Sequence, residues 1–368
     1  MYKRQAGGRL DWHRNESTLR EEGYSTVLIA NEAINLIKNK DQSRPLFLYV
    51  AFNAPHTPIE APLQNIEKFS HVEDENDRVY AANVNALDNE IGRIIKAIED
   101  EGLLEETIIL FFSDNGPLFN INPIFKVVAP DLVNAKGSTA GLSGSKGSAL
   151  EGGIRVPAVI WWKGIIENEK SDQFFFVQDV LPTLLTAANI KTSEVDKFDG
   201  EDKWSNLLSK KIVPPKNAFV GARIMFDERA LFNDQWNLYS AKSVLFPVPA
   251  SYQLFNIIED PFEKNDLAEE EPEIFNAMKK TITSYIERDV VGNLNPAHGY
   301  LHGDNEQGGV EIGSPWLDGG YELNNPPSLV SSIFIFLWIL IQAFKYQLAA
   351  AFLFIVLIIY AFKKLRQK

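Results

Sequence analysis

Apolar residues recur along the chain at two periods, and the switch from one to the other outlines its elements. Val27, Ala30, Ile34 and Ile37 fall at helical spacing within residues 26–38, and the apolar run PLFLYVAF at residues 45–52 predicts a short buried strand. Between residues 77 and 101, Val84, Leu87, Ile91, Ile94 and Ile98 return every three or four positions, with Asp88, Glu90, Arg93 and Lys96 on the remaining surface. A long amphipathic helix is expected there. TIILFFSD at residues 107–114 predicts a second buried strand and IRVPAVIWW at residues 154–162 a third, separated by a long Gly- and Ser-rich loop; FFFVQDVLPTLLTAANI at residues 174–190 predicts a helix. This order of strands and helices implies an α/β domain over residues 1–209, a mostly parallel sheet sandwiched by helices.

Beyond residue 209 the pattern changes. AFVGARIMF, WNLYSAKSVLF and SYQLFNII read as short strands with no helices between them, and EIFNAMKKTITSYIERD reads as one amphipathic helix. Residues 210–292 are therefore expected to form a small antiparallel sheet plus a helix. Residues 293–328, rich in Gly, Asn and Pro, predict an irregular segment and stalk.

Residues 329–362 are apolar apart from Ser331, Ser332, Gln342, Lys345 and Gln347, which predicts a membrane segment. As one helix it would run roughly 50 Å against a hydrocarbon core of about 30 Å, so the span is placed near residues 346–362 with the preceding part tilted or interfacial. A two-span hairpin is the rival, although KYQ offers no Gly or Pro for its turn. Lys363, Lys364, Arg366 and Lys368 follow the span, whereas residues 289–344 hold no Lys or Arg. The basic residues 363–368 are thus expected in the cytoplasm, with the large domain lumenal or extracellular in a single-pass arrangement. The sequon beginning at Asn15 is a glycosylation candidate consistent with that topology. No apolar leader precedes it, which predicts that the chain starts late relative to its full product.

A formal net charge of −13 argues against nucleic acid as a partner and suits a cation-dependent site. The absence of cysteine removes disulfides, thiolate metal sites and cysteine nucleophiles.

Chemistry is expected where strands end. Asp114 and Asn115 close the apolar run TIILFF at its carboxyl end, where ligands of parallel sheets gather. A carboxylate beside an amide oxygen suits Ca²⁺ or Mg²⁺, with an Asx-type turn as the alternative, and two ligands do not fill a shell of six or more. His56, one of five histidines, is flanked by prolines after residues 45–52 and could serve as acid, base or anion-binding group. Lys146 sits in the loop GLSGSKGSALEGG, able to bring backbone amides and an ammonium onto an oxyanion; no GKS or GKT follows as a Walker loop requires. Glu151 and Arg155 read as contacts that anchor this loop.

The ordered set PLFLYVAFNAPHTP, LDNEIGRI, FFSDNG, SGSKGSALEGGIRVP, DVLPTLL and FDGEDKW resembles the type I sulfatases of the alkaline-phosphatase-like superfamily, most closely the arylsulfatase B branch, from about Gly23 to Trp316. The resemblance implies that Asp114 and Asn115 ligate Ca²⁺, that His56 hydrogen-bonds the ester and protonates the leaving oxygen, and that Lys146 binds sulfate. It also implies sulfated sugars of glycosaminoglycan type as substrates, and a formylglycine nucleophile made within a C/S-x-P-x-R motif. No such motif occurs in this chain, and the family's early aspartate pair and Lys-x-His segment are missing too. The chain by itself is therefore expected to lack turnover. Two other readings stay open: a membrane-anchored, non-catalytic binding protein with a sulfatase-like pocket, and a phosphodiesterase-like relative.

Overall fold

The computed structural model describes residues 12–288 apart from 16, 119–135, 192–197, 224–225 and 244–248. The expected stalk, membrane segment and basic tail all lie outside the described residues. Among the described residues, no helix is long and apolar enough to cross a membrane.

Two short strands, β1 (His13–Arg14) and β2 (Ser17–Thr18), form a hairpin with exposed Asn15 in its turn. Helix α1 (Ser25–Lys38) follows, then the short α2 (Leu63–Lys68) and the long α3 (Glu75–Asp100). Small side chains let the long helices approach closely: Ala30 and Ala33 on α1, Ala82, Ala86 and Ala97 on α3 are all buried. Helix α3 starts at Asp74, whose carboxylate accepts the Asp77 amide at 2.9 Å, while Glu75 and Asp77 face the positive end of the helix dipole. Ile37, Ala97 and Ile98 form an apolar cluster that takes in Leu48 and Ile109, joining the helices to the segments beside them.

Strand β3 (Ile109–Phe112) pairs with β4 (Ala158–Trp161), and a short helix α4 (Glu151–Ile154) precedes β4. Two expectations need correction here. The pairing is antiparallel, with Phe111 opposite Val159, and every sheet among the described residues is antiparallel, in place of the mostly parallel sheet expected. Residues 45–52 form no strand and are not buried: Phe47 is 84% and Tyr49 78% exposed, with Leu48 packed toward the helices. An apolar run reads as a buried strand only if neighbours cover it on both faces, and here a single face is covered. Strand β4 begins later than expected because residues 151–154 are helical and Pro157 has no amide for a ladder. The next helix also starts late. The Asp179 carboxylate accepts the Phe176 and Glu201 amides, fixing a 3₁₀ turn before α5 (Val180–Ala187).

After α6 (Trp204–Ser209), the chain forms a four-stranded antiparallel meander of β5 (Ala218–Arg223), β6 (Phe226–Asn233), β7 (Trp236–Ser243) and β8 (Ser251–Asn256), followed by α7 (Pro272–Arg288). Alternate residues face opposite sides. Leu231, Leu238 and Leu254 lie directly across from one another and pack with Met278 and Ile282 of α7. Each buried leucine contributes about 1.5–3 kcal/mol. On the other face Ala230, Phe232, Tyr239 and Phe255 pack against Ala149, Leu150, Ile154, Phe174 and Phe176. Strand β6 was not separable in the sequence because Asp227, Glu228 and Arg229 interrupt its apolar pattern. In the fold Arg229 is buried beside Asp227, and Glu228 receives a hydroxyl and an amide from another segment.

Candidate active site

Strand β3 stops at Phe112 and delivers Ser113, Asp114, Asn115 and Gly116 in a tight turn. The Ser113 hydroxyl donates to the Asn115 carbonyl at 3.0 Å, and the Asn115 side-chain amide donates to the Gly116 carbonyl at 2.9 Å. That bond uses the nitrogen end of Asn115 and leaves its side-chain oxygen as the free acceptor. Asp114 is exposed. Gly116 is buried, and a Cβ there would sit 2.0 Å from the Gly152 carbonyl oxygen, so only glycine lets the two backbones meet.

What it meets is the loop carrying Lys146. The Gly116 amide donates to the Gly153 carbonyl at 2.8 Å, and the Lys146 amide donates to the Pro117 carbonyl at 2.9 Å. Two backbone bonds therefore hold the Asp114–Asn115 corner against the half-buried Lys146 segment. The backbone that carries Lys146 and the turn that carries Asp114 and Asn115 are thus hydrogen-bonded neighbours, some thirty residues apart in sequence.

His56 lies in a separate loop, exposed, between the cis peptide bonds Ala54–Pro55 and Thr57–Pro58. Its Nδ1 is 2.7 Å from the Thr57 carbonyl oxygen, which can only accept, so Nδ1 carries the proton and Nε2 is the free nitrogen. The histidine loop is tied to the helices through the Tyr24 hydroxyl, which donates to the Glu60 carbonyl at 3.0 Å. No hydrogen bond or ion pair among the described residues joins His56 to Asp114, Asn115 or Lys146.

The Lys146 loop is anchored from its far side. Arg155 pairs with Glu151 at 3.1 Å, as the sequence suggested. Burial raises the Glu151 carboxyl above its ordinary range, and Arg155 partly offsets this. The remaining anchors were not legible in the sequence. Glu228 on β6 accepts the Ser148 hydroxyl at 2.7 Å and the Ala149 amide at 3.0 Å. Glu263, beyond β8, accepts the Glu151 amide at 2.8 Å and the Asn237 side-chain amide at 2.7 Å. Burial pushes the Glu263 carboxyl up to about 7, against the pull of those two donors. Beside Glu228, the Tyr239 hydroxyl is pushed well above the ordinary phenol range, first by burial and then by the neighbouring carboxylate.

Asp114 and Asn115 are donors of the type calcium selects, but a calcium shell takes six to eight oxygens. Among the described residues, no group of three or more His, Asp or Glu side chains is placed to hold a metal. The described donor set thus fits such an ion only in part.

The sulfatase family profile matches residues 1–190, just over half of the 368-residue chain. An uncharacterised sulfatase of Schizosaccharomyces pombe is 26% identical, the match covering 69% of this chain and 60% of the relative. N-acetylgalactosamine-6-sulfatase of Mus musculus is 28% identical over 52% of this chain and 34% of its own length. The crystal structure of Ps i-CgsB in complex with k-i-k-neocarrahexaose superposes with a TM-score of 0.60 and 26% identity, covering 74% of this chain and 56% of that one. The chain spans between about a third and three fifths of the length of these proteins. The matches do not single out the arylsulfatase B branch. They do agree on the larger group: with an α/β fold of the alkaline-phosphatase type and a profile match through the Lys146 loop, this chain is a member of the sulfatase family.

Proposed function

We propose that the protein acts on sulfate esters of sugars, with Lys146 holding the sulfate and Asp114 and Asn115 giving two oxygens to a calcium ion beside it. The observation that carries this reading is the pair of backbone hydrogen bonds that joins the Asp114–Asn115 corner to the Lys146 loop. With its backbone held there, Lys146 would bring an ammonium to neutralise charge that grows on sulfate oxygens as the ester bond breaks. Calcium, when bound, would add Lewis-acid polarisation of the same oxygens. His56, whose Nε2 makes no bond to the described residues, is the group assigned to donate to the ester oxygen when Nε2 carries a proton, and to pass that proton to the departing alcohol as the ester bond breaks. The name of the mouse relative and the carbohydrate bound to Ps i-CgsB support a sulfated sugar as the substrate class.

Hydrolysis needs a nucleophile, and the chain contains no C/S-x-P-x-R segment from which a formylglycine could be made. That observation favours a second reading for the chain by itself, in which the pocket binds sulfated sugars without turnover. A phosphodiesterase-like role would need further Asp and His metal ligands, which the described residues do not assemble. The hydropathy of residues 329–362 and the Lys and Arg residues after them support a single-pass anchor with the domain lumenal or extracellular.

Calorimetric titration of the full chain with N-acetylgalactosamine 6-sulfate, with and without calcium, tests the site. Binding that calcium strengthens and Lys146→Ala abolishes is the expected result. Equal affinity in the wild type and Lys146→Ala would remove Lys146 from the site.

A further inference from the structure

We propose that Glu228 of the C-terminal sheet and Glu263, just beyond its last strand, are positioning residues that hold the Lys146 loop in its sulfate-binding shape. The inference rests on the sulfate reading only for what Lys146 does; the clamp itself is read from geometry. The loop SGSKGSALEGG has four glycines, and Gly147, next to Lys146, has φ +90°, a conformation other residues rarely adopt. Glycine permits the fold of this loop but also raises the entropy lost on ordering it, so the loop's rigidity must come from outside.

It comes from one direction. Ser143 donates its hydroxyl to the Phe262 carbonyl at 2.7 Å. Ser148 and Ala149 give a hydroxyl and an amide to one oxygen of Glu228, and Glu151 gives its amide to Glu263. Glu263 is only 6% exposed and is itself fixed by Asn237 of β7. Ala149, fully buried, inserts among Ala230, Phe232 and Tyr239 of the sheet. The loop is thus held on both sides of Lys146, at residue 143 and at residues 148–151, by the sheet and the segment that follows β8, which contribute no group to the proposed chemistry. Carboxyl groups suit the task because each can accept from two donors at once.

The test measures hydrogen exchange of the amides of residues 148–153 and the affinity for inorganic sulfate in the full chain. Glu228→Ala and Glu263→Ala are expected to speed loop exchange roughly tenfold or more and to weaken sulfate binding by a similar factor. Glu228→Gln, which keeps an acceptor oxygen, is expected to restore most of both and serves if the alanine variants fail to fold. Leu238→Ala, on the opposite face of the sheet, lowers stability as a control and is expected to leave the loop's exchange and sulfate affinity unchanged under native conditions. Lys146→Ala is expected to lose sulfate while its loop stays protected. Unchanged loop exchange in both alanine variants, or in Glu228→Gln and Glu228→Ala alike, overturns the proposal, as does an equal response in Leu238→Ala. If the wild type fails to bind sulfate while its loop responds to the glutamate variants, the sulfate reading falls and the clamp stands.

Discussion

The C-terminal sheet and the β3–β4 pair are both antiparallel, yet one is covered on two faces and the other is not. Along β6, β7 and β8, neighbours alternate between the leucine cluster under α7 and the aromatic cluster facing the Lys146 loop. In the β3–β4 pair, the cross-strand partners Phe111 and Val159 are 42% and 57% exposed. Burial, and with it stability, is concentrated in the unit that carries no proposed chemistry. The corner holding Asp114 and Lys146 borrows its order from that unit.

The contrast can be broken most directly at the leucine ladder. Leu238→Ala is expected to cost about 2–5 kcal/mol in urea unfolding, since Leu238 is fully buried between Leu231 and Leu254. A cost below about 1 kcal/mol would erase the difference between the two regions.

Acidity sharpens it next. The Glu263 carboxyl is raised from its ordinary range to about 7, with Glu151, Asp260 and Asn237 facing it and Arg155 paired to Glu151. A raised carboxyl binds its proton more tightly in the folded state, so its stabilisation is full below about pH 4.5 and is lost as pH rises through about 7. Glu263→Gln is expected to flatten the fall in unfolding free energy between those limits by up to about 3 kcal/mol, read from urea midpoints across the range. Identical slopes in the wild type and the variant would show that Glu263 does not titrate there.

The smallest effect belongs to the exposed strand pair. Val159→Thr is expected to shift stability by no more than about 0.5 kcal/mol. A loss several times larger, measured the same way, would mean that this face is covered in solution.

Much of the scaffold was legible in the sequence because one-sided burial leaves a periodic trace. Helices α1 and α3 and α7, the last of the described helices, sit within two residues of their expected limits. Residues 45–52 misled because apolar content reports what a strand could bury, not whether a neighbour is present. Strand β6 was hidden by Asp227, Glu228 and Arg229, whose partners become visible only in three dimensions. Asp114, Asn115 and Lys146 stood out through their setting at the end of an apolar run and in a glycine-rich loop. Glu228 and Glu263 had no such setting; their role lies in contacts across 79 to 112 residues of chain, which no local pattern records.

The insertion of Ala149 into the aromatic face of the sheet has a consequence for how the molecule melts. A loop fixed through another unit's core can open locally without it but cannot outlast it. At the temperature where the sheet comes apart, the loop's order goes with it, and the site should have lost its ligand by then.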